Sequence, residues 1–158
     1  MTLRCLPSRH FSGRLFNRNK TLWASWLVDG PRRVFVSGDG GFDERFERIG
    51  REFPGIDWAI LENGQYDKGW RFIHSHPEEL PSEIEALGAR RVLTVHHGKY
   101  TIANHPWHEP LEKLYEASQG RAWRLFTPVM GETVDLALPA ETHPWWRSVR
   151  EKKGGIAP

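Results

Sequence analysis

Apolar, β-branched runs alternate along the chain with segments whose apolar residues have helical spacing. The runs predict strands at five places: 1–7, 21–28, 33–37, 57–61 and 91–95. Helical spacing predicts helices over 42–53, 77–87 and 109–119. Because strands and helices alternate, the chain is predicted to belong to the α/β class, with the strand order left open.

Proline and glycine mark the predicted element boundaries. Pro77 suits the first position of the second helix, and Gly88 suits its end. Pro81 lies inside that segment, so it either kinks the helix or shifts its start. The segment 126–138 is predicted to be extended. Residues 1–142 are predicted to form the domain and residues 143–158 a polar C-terminal tail.

Composition narrows the class of protein. A chain of 158 residues with 39% hydrophobic residues can bury one core, which favours a single domain. The net charge of +2 gives no reason to expect nucleic acid or an anionic membrane as a partner. Cys5 is the only cysteine, and no apolar run approaches the roughly 20 residues of a membrane span. We therefore expect a cytoplasmic protein without a transmembrane segment.

Two strand ends carry side chains that suit a metal. Asp39 follows the strand 33–37 within Gly-Asp-Gly-Gly, and His96 follows the strand 91–95. Catalytic groups of α/β folds collect at such ends, and carboxylates and imidazoles bind zinc. Each residue also has an ordinary interpretation: Asp39 as a turn residue or helix N-cap, and His96 as a core histidine. His97 should point to the opposite side, so at most one histidine of the pair enters a site.

Other polar residues are candidates with less support. His10 lies in a loop between two strands, where an isolated histidine is usually a surface residue. His74 and His76 form a His-x-His, but nothing nearby completes a ligand set; one of them, near a helix N-terminus, suits an acid or a substrate contact. Arg14 belongs to a basic N-terminal region and either meets a phosphate or is an ordinary surface residue.

The order of five motifs resembles the metallo-β-lactamase superfamily. The motifs are Pro-Ser-Arg-His-Phe-Ser-Gly-Arg, Thr-Leu-Trp-Ala-Ser-Trp, Ser-Gly-Asp-Gly-Gly-Phe, His-Ser-His-Pro-Glu-Glu and Val-His-His-Gly. The most similar branch contains N-acyl-phosphatidylethanolamine-hydrolysing phospholipase D and ascorbate-phosphate lactonase-like proteins. The resemblance extends from residue 1 to about residue 117. It implies a four-layer αββα sandwich of two similar αβ halves, with metal ions between them.

The resemblance also implies roles for individual residues. His10 matches a metal-binding histidine, Asp39 matches the aspartate that bridges two zinc ions, and His96 matches the last metal-binding histidine. His74 matches a histidine on the substrate side and is expected to act with Asp39 in catalysis. Arg14 is a candidate contact for a substrate phosphate.

The chain departs from the family pattern in one large respect. It lacks the His-x-His-x-Asp-His signature that supplies most of the metal ligands, and His74-Ser75-His76-Pro77 does not replace it. Gly40 and His97 stand where the family usually has Thr and Trp, but neither change removes a ligand. The resemblance therefore implies the C-terminal αβ half of the sandwich. Three ligands are too few for two zinc ions, so we expect weak or no zinc binding by this chain alone and no turnover.

Two functions remain open from the sequence. In the first, the chain is the C-terminal part of a zinc-dependent hydrolase acting on a small phosphodiester or lactone. In the second, it is a non-catalytic assembly or binding domain that keeps the half fold and self-associates. Half a sandwich would expose an apolar sheet face, so the expected partner is either an N-terminal half with the missing ligands or a second copy. Whether this chain alone is an enzyme is left open.

Overall fold

The computed structural model describes residues 1–14, 16–100, 102–138 and 142–149, without the side chain of Arg14. The strands within this part are β1 (Thr2–Pro7), β2 (Gly13–Arg14), β3 (Asn17–Arg18), β4 (Ala24–Asp29), β5 (Arg33–Val36), β6 (Trp58–Glu62), β7 (Arg91–Val95) and β8 (Arg124–Phe126). The α-helices are α1 (Arg45–Glu52), α2 (Leu80–Leu87) and α3 (Glu109–Ser118). Short 3₁₀ turns occur at Lys68–Trp70 and Trp145–Ser148.

Six strands form one sheet in the order β1-β4-β5-β6-β7-β8, and β2 and β3 form a separate hairpin. The pairs β1–β4 and β4–β5 are antiparallel. From β5 to β8 every neighbouring pair is parallel. The C-terminal ends of β5, β6 and β7 therefore lie side by side at one edge of the sheet, where ligands bind in open α/β sheets.

Helices α1, α2 and α3 supply the apolar cover for one face of this sheet. The strands send every second side chain to that face, as a strand period of two requires. The buried cluster includes Leu27, Phe35, Phe46, Ile49, Ile56, Ala59, Leu61, Leu80, Ile84, Leu87, Val92, Leu114, Trp123 and Leu125. This helix-covered face contains the hydrophobic core.

The opposite face, which we call the open face, is also apolar but less covered. Strand pairing places five side chains in one row across it: Cys5, Trp26, Val36, Ile60 and Leu93. At the β1 end, Trp26 is 40% exposed and Leu3 is 61% exposed. Towards β8 the segment after Phe126 covers the sheet, and Trp58 donates its indole N–H to the Leu136 carbonyl oxygen at 3.0 Å. The open face is therefore covered at the β8 end and uncovered at the β1 end.

The start of α2 and the segment 126–138 differ from the first expectation, and α2 follows the alternative in which Pro81 shifts its start. Helix α2 begins at Leu80, not at Pro77, and Pro81 lies in its first turn. A proline there costs no helical hydrogen bond, because the first N–H groups of a helix have no partner within it. The segment 126–138 is not a continuous extended element, since β8 ends at Phe126 and no strand follows it within the described residues.

The beginning of the predicted tail is folded against α3. Trp146, in the 3₁₀ turn, is buried beside Tyr115, and its indole N–H donates to Glu112 Oε2 at 2.7 Å. An indole buries a large apolar area and finds an acceptor for its N–H, which explains the ordering of this turn. Residues 150–158 lie outside the described residues, and the boundary at residue 142 stays a prediction. Among the described helices, none has the length and apolar character needed to cross a bilayer.

Candidate metal centre

Asp39 and His96 meet at the C-terminal edge of the sheet. Strands β5 and β7 flank β6, and each leads into a loop that carries one of these residues. His96 Nδ1 lies 2.9 Å from Asp39 Oδ1, and both side chains are partly exposed. His96 has a φ of 69°, in the left-handed region that a non-glycine residue rarely adopts. Strain of this kind is found at ligand-binding sites.

Gly64, in the loop after β6, allows the backbone of His96 to lie where it does. A Cβ atom at Gly64 would lie 1.9 Å from the carbonyl oxygen of His96. That distance is too short for any residue with a side chain. The same carbonyl oxygen accepts a hydrogen bond from Gln65 Nε2 at 3.3 Å. The loop after β6 thus packs directly against the backbone of the His96 loop and supports it.

The glycines beside Asp39 permit close approach of other loops. A Cβ at Gly41 would lie 2.7 Å from the backbone of Phe72, and one at Gly40 would lie 2.6 Å from Ser8 Oγ. Ser8 Oγ also donates to the Asp39 carbonyl oxygen at 3.1 Å. The segments that carry His10 and His74 therefore pack directly against the Asp39 loop.

His10 and His74 lie close to the Asp39–His96 pair. The ring centroid of His74 lies 5.2 Å from that of His10 and 5.4 Å from that of His96. His10 Nδ1 donates to the Phe11 carbonyl oxygen at 2.8 Å, which leaves Nε2 as the nitrogen with a free lone pair. The hydrogen bond from His96 is the main reason that the pKa of Asp39 is lowered, and the charges of His10 and His74 lower it further. Four residues predicted from the sequence are thus brought together.

Glu62 is a buried member of this group that the sequence analysis missed. It ends β6 and is 2% exposed. Its Oε2 accepts from His74 Nδ1 at 2.8 Å, and its Oε1 accepts from the Ser75 backbone N–H at 3.2 Å. A signal was present in the sequence, because Glu62 follows the predicted strand 57–61 as Asp39 and His96 follow theirs.

The donor atoms of this group fit a metal ion such as zinc. Ligand atoms of Glu62, His74 and His96 all lie within 4.8 Å of one another. However, Glu62 and His74 bond to each other, an arrangement in which a carboxylate orients an imidazole. This hydrogen bond uses Nδ1 of His74 and leaves its Nε2 free. The donors available to a metal are then nitrogens of His10, His74 and His96 and an oxygen of Asp39, which are types that zinc accepts. The hydrogen bond to Asp39 raises the pKa of His96, so its proton must leave before a metal binds.

Three further candidates lie outside this group or outside the described atoms. His97 donates from Nε2 to the Thr94 carbonyl oxygen at 3.0 Å, and burial lowers its pKa. His76 packs against the Tyr66 ring, 5.9 Å between centroids. Arg14 lies in β2, but its side chain is outside the described part of the chain. The proposed contact of Arg14 with a substrate therefore stays a prediction.

Comparison with known proteins identifies the family. The model of the beta-lactamase superfamily domain family matches residues 1–97, a range that contains His10, Asp39, His74 and His96. The chain therefore belongs to this family. Its resemblance to the metallo-β-lactamase superfamily is confirmed, and the family is one of hydrolases with the metallo-β-lactamase fold.

Relatives and a solved structure agree with this assignment. The chain is 39% identical over 151 residues to the uncharacterized protein Rv0906 of Mycobacterium tuberculosis, covering 93% of this chain and 41% of that protein. It is 36% identical over 136 residues to the mitochondrial N-acyl-phosphatidylethanolamine-hydrolyzing phospholipase D of Saccharomyces cerevisiae, covering 80% of this chain and 29% of that enzyme. The metallo hydrolase Igni18 of Ignicoccus hospitalis superposes with a TM-score of 0.60 at 20% identity, over 84% of this chain and 51% of that one.

The chain thus spans less than half the length of these two relatives. It also covers about half of the solved structure, as one αβ layer pair of the sandwich does. The α/β class and the metallo-β-lactamase fold expected from the sequence are confirmed.

Proposed function

We propose that this chain is the C-terminal part of a zinc-dependent hydrolase of the phospholipase D-like or lactonase-like kind. The observation that carries the proposal is the convergence of His10, Asp39, His74 and His96 on one edge of the sheet. The name of the yeast relative, a phospholipase D, favours a phosphodiester over a lactone as substrate.

His10, Asp39 and His96 would hold the zinc. Zinc, when bound, supplies an acidified water and polarises the oxygen of the bond under attack. His74 is the chain's own proton-handling group in this proposal. Its Nδ1–H is committed to Glu62, so Nε2 is the nitrogen that would donate a proton to a leaving group or orient the substrate. Glu62, acting through His74, is a positioning residue.

The site needs ligands from outside this chain. Three donors cannot complete two zinc sites of four ligands each. We propose that a segment carrying His-x-His-x-Asp-His supplies the rest and packs on the open face near Trp26, where apolar surface is exposed. A second copy is the other possible cover for this face. The lone Cys5 is an exposed free thiol, which suits the reducing cytoplasm that we propose as the location.

A groove beside His96 offers a place for the substrate. It has a volume of about 200 Å³, and its lining includes Gln65, Lys99, Tyr100 and Ile102. The Lys99 ammonium group lies 5.4 Å from the Tyr100 ring centroid. A cation at the rim of the groove supports an anionic phosphodiester as the bound group.

Zinc content tests this function. Elemental analysis would compare the purified chain with Asp39→Ala and with Asp135→Ala, an exposed aspartate outside the cluster that serves as a control. Each would be measured alone and after co-expression with the N-terminal part of the M. tuberculosis relative. We expect little zinc in the chain alone, and zinc in the co-expressed complex that Asp39→Ala removes and Asp135→Ala leaves. Absence of zinc from both preparations would overturn the proposal.

A non-catalytic assembly domain is the second candidate function. The partly exposed row of apolar side chains on the open face favours it, because soluble monomers rarely leave such surface uncovered. This candidate predicts a stable, metal-free dimer of the chain by sedimentation analysis. It is contradicted if the chain stays monomeric and takes up zinc only with an N-terminal half.

A further inference from the structure

Three serine hydroxyl groups bind three consecutive carbonyl oxygens, those of Gly38, Asp39 and Gly40. Ser37 Oγ donates to the first at 2.7 Å, Ser8 Oγ to the second at 3.1 Å and Ser75 Oγ to the third at 3.0 Å. The Ser37 carbonyl oxygen is a more distant acceptor for Ser8 Oγ, at 3.5 Å. A hydroxyl group has one proton, so all three serine protons are committed to one short stretch of backbone.

The serines belong to the segments that bring the site residues together. Ser8 lies just before His10 in the chain, and Ser75 directly follows His74. Ser37 directly follows β5. The end of β5, the loop after β1 and the segment before α2 therefore meet at the same three peptide groups.

Glu62 connects two of these serines behind the loop. Its backbone N–H donates to Ser37 Oγ at 3.0 Å, and its Oε1 accepts from the Ser75 backbone N–H at 3.2 Å. Ser37 is 4% exposed and Ser75 is 1% exposed, so water does not compete for their hydroxyl groups. The backbone on both sides of Asp39 is therefore joined, through two buried serines, to the residue that orients His74.

We propose that Ser37 and Ser75 are positioning residues that hold the Asp39 carboxylate against His96. Glycine stands on both sides of Asp39, and glycine has more backbone freedom than any other residue. Hydroxyl donors on consecutive carbonyl groups remove that freedom, which preorganises the carboxylate for a ligand. The role in zinc binding or catalysis rests on the proposed function, whereas the hold on the loop does not depend on it.

Loss of either hydroxyl group would release the loop on one side of Asp39. Ser37→Ala removes the donor to the Gly38 carbonyl oxygen and the acceptor of the Glu62 N–H. Ser75→Ala removes the donor to the carbonyl oxygen on the other side of Asp39. In each variant a buried polar group is left without its partner, so conformations in which the loop is open become more populated.

Hydrogen exchange of the metal-free chain tests this hold on the loop. The reporter is the Gly41 amide, which donates to the Arg9 carbonyl oxygen at 3.1 Å. Ser37→Ala and Ser75→Ala should each make its exchange roughly tenfold faster, because one hydrogen bond of the loop is lost. Unchanged exchange in both variants would overturn the proposal.

Two further sets of variants separate the hydroxyl groups from general destabilisation. Ser37→Thr and Ser75→Thr keep a hydroxyl group and should exchange at the wild-type rate. Thr127→Val removes a similarly buried hydroxyl group, which donates to the His143 carbonyl oxygen, and should also leave the Gly41 amide unchanged. If neither threonine variant restores slow exchange, the hydroxyl groups do not fix the loop and the proposal is wrong.

NMR of the histidine rings tests the consequence for the site. Both alanine variants should shift the ring nitrogen resonances of His96, which contacts Asp39 at 2.9 Å, and leave those of His105 unchanged. Unchanged His96 resonances in both variants would overturn the positioning role even if the loop exchanges faster. Absence of zinc from every preparation would contradict the proposed function but would alter none of these results, which come from the metal-free chain.

Discussion

The two faces of the sheet differ although the same strands build both. Phe35 and Val36 are neighbours on β5, yet Phe35 is buried under the helices and Val36 faces the open side. The helix-covered face has a complete core within this chain. The open face presents the partly exposed Trp26 and Leu3, with no helix across them in the described residues. Folding stability should therefore depend on the first face, and assembly on the second.

The candidate metal centre shows the same contrast within a few ångströms. Glu62 and Ser75 are buried and hydrogen-bonded behind the histidines. Asp39 and His96, in front, are partly exposed and bond to each other. The buried side of the site, formed by Glu62 and Ser75, therefore has its hydrogen bonds made. The exposed side, formed by Asp39 and His96, is accessible to further ligands.

The largest expected effect comes from the helix-covered face. Ile84→Ala removes a fully buried side chain of α2 and should lower the free energy of unfolding by about 2–5 kcal/mol. Val28→Ala, on the open face, is the matched control and should cost less, because Val28 is only partly buried. Urea unfolding measures both. Equal losses would show that the two faces contribute alike to folding.

A substitution under the site should have the next largest effect. Gly64→Ala places a Cβ against the His96 carbonyl oxygen, so the backbone must move, at a cost of about 1–3 kcal/mol. It should also separate His96 from Asp39, which NMR of the histidine ring would detect. Gly30→Ala is the control: like Gly64 it has no positive φ, but the added Cβ would meet no atom closer than 3.7 Å. If Gly64→Ala leaves the His96 signal unchanged, as Gly30→Ala should, the proposed support by Gly64 is wrong.

The open face should affect association more than folding. Trp26→Ser should cost less stability than Ile84→Ala, because the Trp26 side chain is only partly removed from water. In the proposed assembly it should weaken binding of the N-terminal half or of a second copy. Sedimentation analysis over a range of concentrations measures this. Unchanged association would place the partner elsewhere on the chain.

The smallest effect concerns the Asp39–His96 pair. The pKa of His96 is raised, so its contribution to stability is full below about pH 6.5, the unfolded pKa, and is lost as pH rises through the folded pKa. The pKa of Asp39 is lowered, so its contribution is full above about pH 3.9 and is lost as pH falls through the folded pKa. The pair therefore stabilises the metal-free chain most between these two values, and only modestly, because both groups are partly exposed.

NMR titration of the metal-free chain tests this pair. Asp39→Asn should lower the pKa of His96, because the amide no longer stabilises a charged imidazole. The His105 signal, from a ring bonded to the Pro106 carbonyl oxygen, serves as an internal control. An unchanged His96 pKa would mean that the two side chains do not pair in solution.

The sequence by itself predicted five of the eight described strands, and the site residues that follow β5 and β7, but not the β2–β3 hairpin or β8. Apolar, β-branched runs predicted β5, β6 and β7, because buried parallel strands need such runs. The sequence pattern did not single out Glu62. A glutamate at a strand end gives the same pattern whether its side chain faces solvent or the interior. Pro77 and Pro81 both suit a first turn, so the sequence left the start of α2 open between them, and the structure places Pro81 in that turn.

Only the tertiary structure decided which of these residues meet. His10, Asp39, His74 and His96 are far apart in the chain, and their distances depend on strand order and on loops that pass over Gly40, Gly41 and Gly64. The buried hydrogen bond from the Ser75 backbone N–H to Glu62 is likewise non-local. Periodicity in a sequence reports which face a side chain takes relative to its neighbours, whereas hydrogen bonds and protonation states depend on what the rest of the chain brings to that face.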